Sequence, residues 1–118
     1  MNASIAYRFC LIGVLLTCLL SGCATPGESD RAKEGYVFFS PVIKALEAYR
    51  KVHSGYPVDL SELVPKYLPA APSSFHDRPI AYMVRDSRHY ILEFTFESSG
   101  MNVCDYLPRV GWDCGGFF

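Results

Sequence analysis

Ser73-Ser74-Phe75-His76-Asp77-Arg78 brings hydroxyl, imidazole and carboxylate, the residue types of a hydrolase triad, into six consecutive positions. In a triad the hydroxyl attacks, the imidazole takes its proton and the carboxylate orients the imidazole, and it is the fold, not adjacency, that makes the three converge. Neighbours in one loop point in different directions, so the run predicts a turn rather than a catalytic centre. His53, His76 and His89 are the other side chains that could bind a metal or move a proton, and their separations of 23 and 13 residues match no zinc-ligand spacing. Surface or turn positions are expected for them. No glycine-rich phosphate loop follows a strand. A chain of 118 residues with a formal charge of −1 also lacks the basic stripe that neutralises nucleic-acid phosphates. No catalytic residue, metal ligand or nucleic-acid partner is therefore expected.

The five cysteines carry a different chemistry. Phe9 to Leu20 is an uncharged, mostly apolar run behind Arg8, too short for a membrane span: twelve residues rise only about 18 Å as a helix, against a hydrocarbon core of about 30 Å. It has the form of an export signal. The run leads into Leu20-Ser21-Gly22-Cys23, which resembles the lipobox of bacterial lipoproteins. The resemblance implies cleavage before Cys23, with residues 1–22 as the signal peptide, and diacylglycerol plus an N-acyl chain such as palmitate on Cys23. It implies no other cofactor. Several acyl chains hold a membrane firmly where one holds marginally. Ala24, not aspartate, follows the cysteine, which in that family implies the outer membrane of a Gram-negative envelope, facing the periplasm; in another envelope it would be the cell membrane. Cleavage removes Cys10, Cys18 and Arg8, leaving ten Lys and Arg against twelve Asp and Glu, a net charge of −2. With Cys23 lipidated, Cys104 and Cys114 are an even pair in an oxidising compartment, which favours one disulfide.

The elements that would position these residues follow from periodicity. Residues 23–35 are small or charged, with Pro26, Gly27 and Gly35, and read as a lipidated tether; a helix beginning near Asp30 is the alternative. Ser40 followed by Pro41 has the form of a helix N-cap and first helical residue. Val42, Ile43, Leu46, Tyr49 and Val52 then recur at helical spacing, which predicts one amphipathic helix to His53. Asp59 and Glu62 are spaced as a capping box for a short helical turn that pins Leu60, Leu63 and Val64 to the core. Ile80, Tyr82 and Val84, then Tyr90, Leu92, Phe94 and Phe96, alternate with period two across Asp86-Ser87-Arg88, predicting a hairpin whose apolar face covers the helix and leaves Glu93, Thr95 and Glu97 opposite. A second hairpin turning on Arg109 would set Cys104 opposite Cys114 and Tyr106 opposite Trp112. Core packing is expected for most of the tyrosines, with Phe117-Phe118 as the candidate exposed apolar contact.

Ala45-Leu46-Glu47-Ala48-Tyr49, Gly55-Tyr56-Pro57, Leu60, Leu63-Val64-Pro65 and Tyr67-Leu68-Pro69 together resemble the head domains of type IV pilin-like proteins, especially the major pseudopilins of type II secretion. There a helix ends at a Gly-x-Tyr-Pro turn, a short leucine-rich helical segment follows, and a small antiparallel sheet packs on the helix. The prepilin cleavage glycine and the hydrophobic helix with an early glutamate, through which those proteins polymerise, are replaced by the lipobox. The expectation is an α+β fold in residues 36–118: one main N-terminal amphipathic helix on a small antiparallel, pilin-head-like sheet, stapled by one disulfide. The expected function is a non-enzymatic envelope lipoprotein with a membrane anchor and an envelope protein partner. A pseudopilin-like component of a secretion or pilus machine is the second reading, and a small metal-binding or catalytic envelope domain the third.

Overall fold

The computed structural model describes residues 26–117. It is an α+β domain: a 3-10 turn, Pro26–Glu28; one helix, α1, Asp30–His53; a second 3-10 turn, Leu60–Leu63; a two-residue hairpin, β1 Ser74–Phe75 and β2 Arg78–Pro79; and four strands, β3 Ala81–Asp86, β4 His89–Glu97, β5 Met101–Leu107 and β6 Gly111–Phe117. The four strands form an antiparallel meander in the order β3-β4-β5-β6. No helix among the described residues is long and apolar enough to cross a membrane.

The helix begins at Asp30, eleven residues before Pro41, at the start that the sequence offered as the alternative. Ser29 is extended (φ −66°, ψ 154°) and its Oγ accepts from the Ala32 amide at 3.2 Å, so the N-cap is Ser29 and not Ser40. Residues 30–35, expected as tether, are the first turns of α1. The reason is the buried stripe Ala32, Gly35, Phe39, Val42, Leu46, which runs at helical spacing straight through Ser40-Pro41. Pro41 lies on the exposed face, and the carbonyl it leaves without an intrahelical partner belongs to Val37, itself 75% exposed, where water can reach it. Val52, expected on the buried face, is 63% exposed, because the last turn of α1 extends past the buried cluster. The helix stops at Ser54, left-handed at φ 60°, whose amide donates to the Arg50 carbonyl.

The inner face of the sheet is β4: Tyr90, Leu92, Phe94 and Phe96 are all buried, and each such side chain contributes about 1.5–3 kcal/mol. Phe94 packs on the backbone of Gly35, where an added Cβ would fall 2.2 Å from its Cζ, and Phe39, Phe75 and Trp112 surround the same ring. The capping box of Asp59 and Glu62 forms as expected, and Leu60 and Leu63 are buried beneath it.

Candidate functional site

Cys23, the expected lipid site, and Phe118 lie outside the described residues, as do the side chain of Phe117 and the signal segment 1–22. The described body begins at Pro26, three residues after Cys23. Three residues of chain reach at most about 10 Å.

The start of the body is held by Tyr36. Its hydroxyl donates to the Gly27 carbonyl at 2.9 Å and sits 3.1 Å from Cys114 Sγ. Its ring stacks on Trp112 at 5.1 Å, and burial raises its pKa. Cys114 is bonded to Cys104 across the β5–β6 register, with Cα atoms 4.1 Å apart and Tyr106 facing Trp112 two residues on, the predicted pairing. Closing a ten-residue loop contributes roughly 2.7 kcal/mol in the chain-entropy account. The 3-10 turn, the first turns of α1 and the disulfide hairpin are thus one knot, built around Tyr36.

The triad-like run is the tip of the β1–β2 hairpin. Phe75 pairs with Arg78, and His76 and Asp77 between them are both left-handed (φ 48° and 62°), the backbone of a two-residue type I′ turn. Ser73 and Ser74 are exposed. His76 Nε2 contacts Glu34 Oε1 at 2.6 Å and Arg78 donates to Glu97 Oε1 at 2.6 Å, so the run serves to dock a hairpin on α1 and β4. The other histidines are elsewhere: His53 stacks on Tyr49 at 4.0 Å, and His89 Nδ1 meets Asp86 at 2.7 Å. Among the described residues no three His, Cys, Asp or Glu side chains are grouped to hold a metal ion.

The outer face of the sheet carries a row of acids. Glu93 of β4 pairs with Asp105 of β5, which pairs with Asp113 of β6. Burial raises the pKa of Glu93, and a hydrogen bond to Asp105 and its negative charge raise it further. Asp105 Oδ1 is buried with no hydrogen-bond partner. The pair can hold one proton between two strands, at the cost of like charges facing each other when both ionise.

Sequence reasoning missed three residues here. Tyr36 was grouped with the other aromatics; its signal is helical spacing from Phe39 and Ile43. Gly35 read as a linker glycine, although it falls on the buried stripe. Asn102, 5% exposed, donates through Nδ2 to the carbonyls of Ser98 and Gly100 and so holds the β4–β5 turn; an asparagine two residues after a glycine turn was its only sign. The chain matches no protein-family model, no curated protein and no solved structure, and its functional reading rests on its own residues.

Proposed function

We propose that this chain is an envelope lipoprotein, anchored through lipid on Cys23 in the outer membrane of a Gram-negative envelope, whose pilin-like α+β head makes protein contacts without turnover. One observation supports the reading: Gly27, four residues after Cys23, is bonded by Tyr36, whose hydroxyl also contacts the disulfide at Cys114. A lipid on Cys23 would therefore hold the head within about 10 Å of chain from the membrane surface. The role is structural or accessory.

A pseudopilin-like component of a secretion or pilus machine is the second reading. It is favoured by the order of helix, Gly55-Tyr56-Pro57 turn, short leucine-rich turn and antiparallel sheet, with Tyr56 and Pro57 both buried. Normal secretion and piliation in a deletion strain would count against it.

Intact mass and membrane fractionation of the expressed protein beside a Cys23→Ala variant test the anchor. The expected result is a mass increase of lipid size with outer-membrane partitioning, both lost in the variant. A soluble wild-type protein of unmodified mass would overturn the reading.

A further inference from the structure

We propose that the end of the domain opposite the Tyr36 knot binds a phosphate-type oxyanion, in a cavity between the last turn of α1 and the β3–β4 turn. The cavity, about 360 Å³, is lined by Arg50, Lys51, Ser54, Ser87 and Arg88. It thus offers three cationic groups and two hydroxyls, and no carboxylate lines it. Two arginine–carboxylate ion pairs and two histidine–carboxylate contacts form among the described residues, and none includes Arg50, Lys51 or Arg88.

The walls are set in place by bonds that leave the cationic groups available. Arg50 Nε donates to the Ser87 carbonyl at 3.3 Å, and its guanidinium lies 5.6 Å from the centre of the Tyr56 ring. The Tyr56 hydroxyl in turn donates to the Glu47 carboxylate of α1 at 2.7 Å. On the other wall Asp86 Oδ1 accepts the Arg88 amide at 2.8 Å and the same carboxylate meets His89, so the turn that presents Ser87 and Arg88 is itself braced.

Helix-dipole chemistry accounts for Arg50 and Lys51, which face the carbonyl end of α1. It does not account for Arg88, which comes from a strand turn and brings a third positive charge beside two others, in a mature chain whose net charge is negative. A group with two negative charges and several acceptor oxygens would offset that repulsion and use the hydroxyls, whereas a single carboxylate would leave it largely in place. The cavity is larger than a phosphate ion and leaves room for the group that carries it. None of these residues depends on lipidation of Cys23, so this site and the anchor stand or fall separately.

Titration of the full-length Cys23→Ala protein with inorganic phosphate, followed by amide NMR, tests the site. The expected result is saturable shifts centred on Ser54, Ser87 and Arg88, weakened about tenfold by added salt. Arg88→Gln and Lys51→Gln should each weaken binding at least fivefold, and Lys33→Gln, on the exposed face near the start of α1, should leave it unchanged. Vesicles containing an anionic phospholipid form the second arm. Vesicle binding that Arg88→Gln abolishes together with phosphate binding would identify lipid headgroups as the source of the phosphate, whereas phosphate binding alone would identify a soluble or polymer-borne phosphate. Absence of saturable phosphate shifts, or equal weakening by Lys33→Gln, would overturn the proposal.

Discussion

The two ends of α1 are built on opposite terms. At its start, Tyr36, Gly27, Trp112 and the Cys104–Cys114 disulfide close on one another, with donors matched to acceptors and rings stacked. At its finish, Arg50, Lys51 and Arg88 gather around an open cavity that no carboxylate lines. Packing at the first end has little left to offer a partner; at the second, cationic groups outnumber the carboxylates near them. On the proposed reading, the first end would hold the domain where its chain runs toward Cys23, and the second would receive a ligand.

Substitutions at the first end should therefore be felt as stability. The largest effect is expected from Gly35→Ala, which puts a methyl group 2.2 Å from Phe94 Cζ, in a ring that Tyr36, Phe39, Phe75 and Trp112 keep from moving. Overpacking should cost about 3 kcal/mol by urea denaturation, more than the roughly 1 kcal/mol that alanine returns in helix propensity. Replacing Cys104 and Cys114 together by alanine should cost roughly 2.7 kcal/mol in the same assay. Tyr36→Phe removes the hydroxyl bond to Gly27 and should cost about 1 kcal/mol, with faster amide exchange in the 3-10 turn as its signature.

The outer face of the sheet predicts a pH dependence. Glu93 holds its proton more tightly in the folded domain than in the unfolded chain, so the folded state binds more protons between the unfolded value of 4.5 and the raised folded value. Stability from this pair is present below pH 4.5 and is lost as the pH rises through the folded pKa. Asp59 and Asp86 have the opposite sign: their pKa values are lowered by backbone amide bonds, so their contribution is present above pH 3.8 and lost in stronger acid. Denaturation at pH 5 and pH 7 should show greater stability at pH 5, and Asp105→Asn should flatten that difference. The smallest stability effect belongs to the second end. Arg88→Gln should change unfolding by no more than about 0.5 kcal/mol, which separates a residue kept for binding from one kept for packing.

The parts of the fold legible in the sequence were those set by short-range rules. The β5–β6 register followed from Cys104, Tyr106, Trp112 and Cys114 alternating about Arg109, and the Leu60–Leu63 turn from the spacing of Asp59 and Glu62. The start of α1 near Asp30 was legible only as an alternative because Ser40-Pro41 imitates a cap, and the tertiary demand of Phe94 on Gly35 decides between the two. The β1–β2 hairpin was missed because two-residue strands carry no period. The cationic cavity could not be read at all, since Arg50 and Arg88 are 38 positions apart and meet only when the β3–β4 turn folds back on the helix.

The contrast between the two ends is tested most directly by placing the lipidated protein on vesicles with a spin label at Lys33→Cys or at Val52→Cys. Both positions are exposed and both lie on α1, about 28 Å apart along its axis. A lipid-soluble relaxing agent should act strongly on the label at position 33 and weakly on that at position 52, with both effects lost when Cys23→Ala is added. Equal relaxation at the two positions, or the same result without Cys23, would contradict a head mounted at the start of its helix and presenting the other end.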